Sequence, residues 1–241
     1  MTGELDDLLA RAEPALAGYL TGKLRLAAPP GGGVVACRDL FTAEGFDGAL
    51  APLLDRYPES DRRAVASLWS LYYFSTLAIA PVVLWRRLGL VLPLALGDLR
   101  MIATPDTGLP DAFVLPHRGH VAHGLKASDA LGTMIEDHLR PAIAFLSGHC
   151  RLSPRLLWCN AAGYIDWIAR ELDPGSDDAA GLQLFGKYKL ADGMDNPLHG
   201  SIKRISVGDS VQSQRKVCCL RYMLPGIGGC GETCPLPQGR G

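Results

Sequence analysis

Net charge is scarce in this chain. Its 24 Lys and Arg nearly cancel 25 Asp and Glu over 241 residues, leaving a formal −1 and a pI near 6.6. A surface made throughout for nucleic-acid phosphates would be strongly basic, so no nucleic-acid partner is expected. The chain also lacks a G-x-G-x-x-G at a strand-to-helix turn and a P-loop, which argues against a nicotinamide or nucleotide site. It has no internal repeat and no low-complexity linker longer than a few residues. A basic stretch leading into an apolar one is missing near Met1. Glu4, Asp6 and Asp7 stand where a signal peptide would carry Lys or Arg, and Arg11 follows before an apolar region can form. The expected compartment is cytoplasmic.

Apolar material is plentiful. At 48% apolar and 20% charged, the chain can bury one sizeable core, or two small ones, without disulfide staples. From Ala64 to Trp85 no residue is charged, a run long enough to span a bilayer. It contains Ser67, Ser70, Tyr72, Tyr73, Ser75, Thr76 and Pro81. Arg62, Arg63, Arg86 and Arg87 flank both ends, so it carries no orientation bias. A buried core helix stopping near Pro81 is the expected reading, with peripheral membrane association left open.

The coarse pattern is mostly helical. Leu5, Leu8, Leu9, Ala12, Leu16 and Leu20 predict an amphipathic helix over 4–21. Pro29-Pro30-Gly31-Gly32-Gly33 punctuates the chain before a short strand at Val34, Val35 and Ala36. Ser60 is the expected N-cap of the long helix, and Pro81 is expected to open a new turn over Val82 to Leu88. Leu99 to Ala103 and Ala112 to Leu115, either side of Pro105-Asp106-Thr107-Gly108, predict a central β-hairpin. Helix resumes near Ser128 or Asp129 through Leu146. Another starts at Ser153-Pro154, carries Leu157, Ala161, Ile165, Ile168 and Leu172 on one face, and ends by Asp173-Pro174-Gly175.

From His199 onward periodicity fades, and the charge changes sign. Lys203, Arg204, Arg215, Lys216, Arg221 and Arg240 against Asp209 and Glu232 make residues 200–241 +4, which leaves −5 on the rest. A basic, loop-rich tail on an acidic helical body has the character of a working site on a scaffold.

That tail also holds four of the seven cysteines: Cys218, Cys219, Cys230 and Cys234. A secreted disulfide scaffold would spread an even number along a short chain, so clustering points to metal. Four thiolates suit a structural zinc or an iron–sulfur cluster. Only Cys230 and Cys234 could form a zinc knuckle, and adjacent cysteines on an extended strand point to opposite faces, so bringing both to one ion needs a kinked backbone. The geometry leans toward iron and sulfur, with structural zinc, a thiol redox pair and a vicinal Cys218–Cys219 disulfide still open. Pro225-Gly226 and Gly228-Gly229 permit the intervening loop to fold back.

Cys218-Cys219-Leu220-Arg221-Tyr222, followed by Cys230 and Cys234-Pro235-Leu236, resembles the C-terminal signature of the FhuF family of ferric-siderophore reductases. That signature is two adjacent cysteines, ten residues, then a C-x2-C pair. Here three residues, Gly231, Glu232 and Thr233, separate the last two cysteines. Weaker similarity covers Ser67-Leu68-Trp69-Ser70-Leu71-Tyr72, the hairpin, His138-Leu139-Arg140-Pro141 and Leu156 to Ala162. The resemblance implies an α+β fold: a mostly helical single domain with a central hairpin and a loop-rich C-terminal iron–sulfur segment. It divides the chain into a body, 1–199, and a cluster-binding segment, 200–241.

The resemblance further implies a [2Fe–2S] cluster on Cys218, Cys219, Cys230 and Cys234, a ferric siderophore as substrate and a ferredoxin-like donor. Arg204, Arg215, Lys216 and Arg221 are candidates for steering an anionic chelate or that donor. The rival reading is a zinc-stabilised binding protein whose tail is a structural four-cysteine site. Of the remaining candidates, His117, His120 and His123 are spaced too widely around a helix for one ion and belong in a loop. His199 reads as a surface residue. Cys37, Cys150 and Cys159 read as buried thiols, and Trp69, Trp85, Trp158 and Trp167 as core.

Overall fold

The computed structural model describes residues 3–30, 33–173, 183–189, 193–208 and 210–236. Its first helix, α1 (Gly3–Ala12), is shorter than expected. Pro14 cannot donate an amide hydrogen, and a one-turn 3-10 segment (Pro14–Leu16) separates α1 from α2 (Ala17–Leu20). Two short strands, β1 (Leu24–Arg25) and β2 (Val34–Ala36), and the single turn α3 (Cys37–Leu40) follow. Next comes a helix that sequence periodicity does not announce, α4 (Ala43–Arg56). Thr42 caps it by accepting from Gly45 N, and Phe46, Leu50 and Leu53 face inward, but Gly45, Gly48 and Pro52 dilute the helical signal.

The long apolar run forms α5 (Arg62–Leu88). Its N-cap is Asp61, whose carboxylate accepts from Arg63 N at 2.8 Å, not Ser60. Pro81 does not stop it: the helix continues through and ends at Gly89, in the left-handed region at φ 65°. A Cβ there would also strike the His123 ring at 2.5 Å. Every residue from Ala64 to Trp85 is buried except Tyr72. Alone among the described helices, α5 has the length and apolarity to cross a membrane, and 94% of its most apolar stretch is covered by the rest of the protein. Each fully buried Leu, Ile or Phe contributes about 1.5–3 kcal/mol, so this one helix organises the fold.

After β3 (Leu90–Val91), the expected hairpin forms from β4 (Arg100–Ala103) and β5 (Pro110–Val114), paired antiparallel from Arg100↔Val114 to Ala103↔Pro110. β1 adds parallel to β5 and β2 antiparallel to β4, giving the sheet order β1-β5-β4-β2. The turn is anchored on α5, because Trp69 Nε1 donates to Gly108 O at 3.0 Å. β6 (His120–Val121) pairs with β3.

Where one helix is expected from residue 128 to 146, the chain makes α6 (Ala127–Ala130), a π-helical stretch (Thr133–Leu139) and α7 (Arg140–Cys150). The π-helical turn places His138 in the core, 2.6 Å from Tyr73 Oη and 2.9 Å from Leu94 O. Burial depresses its pKa to about 4, so the ring is neutral. α8 (Pro154–Leu172) starts and stops as expected, although Pro174 and Gly175 lie outside the described residues, as do Gly31 and Gly32.

α9 (Gln183–Gly186) precedes a second departure. Residues 202–215, expected to be loop, form a hairpin of β7 (Ile202–Val207) and β8 (Ser210–Arg215) in register Ile202↔Arg215 through Val207↔Ser210. Its buried residues are Ser213, Gln214 and Arg215, so no apolar alternation marks it in the sequence. It is fastened by charge: Arg204 reaches both oxygens of buried Asp166 on α8, at 2.7 and 3.0 Å, and bonds Ser213. Arg170 holds the same carboxylate at 3.1 Å. Past the hairpin, Cys219 and Leu224 join the core formed by the helices, completing a single α+β domain.

Candidate metal centre

The four tail cysteines lie on two short loops after β8. In the first, Cys218-Cys219 is followed by Leu220 at φ 62°, a left-handed conformation that a branched side chain adopts at a cost of about 1–3 kcal/mol. The kink falls directly after the two cysteines rather than between them. It turns Leu220 N toward Cys218 Sγ, a 3.3 Å hydrogen bond. In the second loop, the three residues between Cys230 and Cys234 coil into a 3-10 turn opening with Gly231 at φ 63°, closed by Cys234 N donating to Gly231 O at 3.0 Å. The extra residue relative to a C-x2-C spacing is taken up in that turn.

Both loops are tied to the body through backbone carbonyls. Gln214 Nε2 donates to Cys234 O at 3.0 Å. Ser67 Oγ, buried on α5, donates to Cys219 O at 2.7 Å. Ser67 is itself part of a polar knot: Ser70 Oγ donates to Ser67 O, and Asn160 Nδ2 from α8 lies 3.2 Å from both serine oxygens. Each serine has spent its one proton on a carbonyl, so each can only accept from Asn160. The orientation of the Asn160 amide follows, with Oδ1 facing away from the serines.

Two of the sulfurs meet. Cys219 Sγ and Cys230 Sγ are 3.2 Å apart, and Arg215 Nη2 donates to Cys219 Sγ at 3.2 Å. The hydrogen bond from Cys219, together with the nearby Arg215 charge, lowers the Cys230 pKa to about 6, while Cys219 is pushed up by holding the shared proton and by burial. Burial also raises Cys218. The pair therefore presents one thiolate at neutral pH, the form that binds metal. Arg215 is only 5% exposed. Burial disfavours its charge, but the Cys219 and Cys230 sulfurs outweigh that and hold it protonated.

These residues fit an anionic thiolate-bound group. The Nε atoms of Arg215 and Arg221, on the two cations nearest the sulfurs, are buried without a hydrogen-bond partner. An iron–sulfur cluster, net negative and ringed by sulfur acceptors, would suit that cationic surrounding. A preformed one-ion site is not present: among the described residues no three His, Cys, Asp or Glu side chains converge closely enough to hold a metal ion.

Of the residues singled out by charge, Arg215 touches the sulfurs, Arg221 is half-buried beside them and Lys216 is exposed. Arg204 instead serves the fold through Asp166. His120 sits exposed on β6, His117 Nδ1 accepts from Gly119 N, and His199 is half-buried with its ring edge on Tyr188. Cys37, Cys150 and Cys159 are buried, with Cys37 pushed up to about 12 by burial. Trp69, Trp85 and Trp158 are core, whereas Trp167 is half-buried and lines a cavity next to Cys230. Sequence reading assigns no role to Ser67, Asn160 or Asp166. Each is a polar residue on an otherwise apolar helical face, and that misfit is the signal they leave.

A mostly helical α+β domain carrying a thiol-rich, cation-lined centre at its C-terminal end is the class this structure defines. Residues 67–205, more than half of the chain, match the family model described as "Ferric iron reductase FhuF-like transporter", and the chain belongs to that FhuF family. The match ends before the cysteines, so it supports the body and is silent on the centre. A curated relative, "Ferric siderophore reductase" of Escherichia coli (strain K12), is 30% identical over 104 residues, covering 42% of this chain. The aligned stretch spans 38% of that protein, well under half its length.

Proposed function

We propose that this protein is a ferric-siderophore reductase of iron acquisition, with a [2Fe–2S] cluster held by Cys218, Cys219, Cys230 and Cys234. The observation that carries the reading is Arg215: a buried, partly unsatisfied cation against a thiol pair, in a chain of this family. When bound, such a cluster supplies a one-electron carrier between an external ferredoxin-like donor and chelated Fe(III).

The chain's own residues set the conditions. Leu220 N donates toward Cys218 Sγ and Arg215 toward Cys219 Sγ. Donors and a fixed positive charge at the sulfurs favour the more negative, reduced form and raise its potential. Iron leaves because hard anionic oxygen donors hold Fe(II) far less tightly than Fe(III). No general acid or base is needed as a centrepiece. Lys216, exposed next to Arg215, and half-buried Arg221 are available to steer an anionic partner. The compartment we assign is the cytoplasm, a reducing one, in keeping with seven cysteines none of which is in a disulfide among the described residues.

Anaerobic purification tests the cofactor. The expected protein is red-brown, bleaches on dithionite reduction and then shows a rhombic S = 1/2 EPR signal. A colourless sample with one bound zinc would replace this reading with the zinc-stabilised binding protein.

A further inference from the structure

In the charge-free run of α5 every residue is buried except Tyr72, which is 43% exposed. A tyrosine left out of so thoroughly covered a helix marks a face that the rest of the chain does not cover. Tyr72 is shared by two neighbouring hollows of about 250 and 240 Å³, and Arg221 lines both. Tyr19 and half-buried Lys23, which bonds Asp111 at 2.9 Å, line the first; Arg56 and Tyr57, at the end of α4, line the second. Tyr222 and Met223 follow Arg221 on one 3-10 turn and are exposed. Four of the ten exposed large apolar side chains among the described residues, Tyr19, Tyr72, Tyr222 and Met223, therefore lie along or beside the hollows that Arg221 joins.

The wall of the second hollow includes Gly226, Ile227 and Gly228, from the spacer between Cys219 and Cys230. Gly228 is exposed, its φ is not positive, and a Cβ on it would find nothing within 4 Å. Neither backbone conformation nor internal packing requires glycine there. What glycine does provide is bare backbone open to close approach from outside. Among the described lining residues of the two hollows none is acidic. Exposed Asp55 lies roughly 200° around α4 from lining Leu53 and so points away, and exposed Glu59, past the helix end, is outside the lining.

This make-up selects the occupant. Small-molecule sites run to roughly 300–1,000 Å³, more than either hollow offers. Tyr, Met and Arg are instead the residues enriched where one protein binds another, with Tyr and Arg prominent among hot spots. Arg56 and Arg221 give the face a positive sign, and its complement is an acidic surface. We infer that this face, from Tyr19 across Tyr72 and Arg221 to Arg56, docks a small acidic electron-carrier protein. Carboxylates of the carrier pair with Arg56 and Arg221, an apolar side chain of it seats beside Tyr72, and its backbone passes over Gly228. The spacer loop in the same face puts the carrier next to the cysteine centre. The inference rests on the reductase reading for the partner's redox role and adds where that partner docks and what sign it carries.

Calorimetry with every component oxidised tests docking while no electron moves. Plant-type ferredoxin and flavodoxin, both small and acidic, are titrated separately into the anaerobically purified protein, with basic cytochrome c as the comparison. At least one acidic carrier should bind, more weakly as salt rises to about 0.5 M, and cytochrome c should not. Arg56→Glu, Tyr72→Ser and Gly228→Glu should each weaken binding by about tenfold or more, while Val211→Ser, an exposed apolar position on β8, should leave it unchanged. Circular dichroism and visible absorbance matching the wild type identify folded, loaded variants, and Gly228→Glu, which adds its side chain into open space, disturbs the fold least. Failure of both acidic carriers to bind, equally tight binding of cytochrome c, or wild-type binding in the three variants overturns the inference. If a carrier docks as expected but dithionite-reduced protein passes no electron to an Fe(III) chelate, the reductase reading falls and the face stands. If dithionite-reduced protein does reduce the chelate and neither carrier docks, the face falls and the reductase reading stands.

Discussion

Replacing Ser67 with Ala should loosen the seat of the cysteine loop. Ser67 Oγ donates a 2.7 Å hydrogen bond to Cys219 O inside the core and accepts one from Asn160 Nδ2. Alanine leaves the carbonyl buried without that donor, a penalty of about 1–3 kcal/mol; Asn160 keeps Ser70 as an acceptor and adds little. The expected loss is about 2 kcal/mol, or a fall in Tm of roughly 4–8 °C for a domain of this size. Ser75→Ala is the comparison, since Ser75 Oγ donates only to Tyr72 O within its own helix at 2.9 Å. It should cost under about 1 kcal/mol. Urea unfolding followed by tryptophan fluorescence measures both, and iron per chain should fall in the Ser67 variant alone. Equal stabilities and equal iron contents in the two variants would refute the tether.

Three further expectations follow from groups with clear physical states. His138 is neutral in the fold with a pKa near 4 against 6.5 unfolded. As pH falls through 6.5 the unfolded chain gains a proton that the folded chain resists until about 4, so stability drops across that window by up to about 3 kcal/mol. Urea midpoints at stepped pH should show a shallower slope for His138→Gln. Asp166→Asn, which leaves Arg204 and Arg170 facing a neutral amide, should cost roughly 1–3 kcal/mol and speed amide exchange in β7 and β8 first. In metal-free protein, alkylation of Cys230 should rise with a midpoint near pH 6 and move to higher pH in Arg215→Met. A midpoint unmoved by that change would show that the guanidinium does not act on the sulfur.

Much of the frame is legible in the sequence because apolar burial leaves a period. The charge-free run of α5, the hairpin around Gly108 and the Ser153-Pro154 start of α8 all follow from local pattern. What stays hidden is set by tertiary contact. Pro81 reads as a break, yet α5 is so thoroughly enclosed that the missing hydrogen bond does not end it. α4 is obscured by its glycines and proline, and the β7–β8 hairpin by polar residues that turn inward to charge partners on α8. At the centre, spacing identifies the four cysteines and glycine permits their turns. The positive φ at Leu220 falls on a residue type that does not announce it, and the Ser67–Asn160 contact joins side chains 93 residues apart, so neither has a local signature. Charge counting groups Arg204 with Arg215, but only the three-dimensional structure separates the one that pins a hairpin from the one that touches sulfur.

The central claim is that electrons leave this centre for chelated Fe(III), and one anaerobic experiment addresses it directly. Protein reduced by dithionite, freed of excess reductant, is mixed with a ferric trihydroxamate and a colorimetric Fe(II) trap in a stopped-flow cell. The visible bands should return as Fe(II) appears, one Fe(II) for each electron held, with neither change in a Cys230→Ser variant. Protein that stays reduced with the chelate, or Fe(II) released at the wild-type rate by the Cys230 variant, would contradict it.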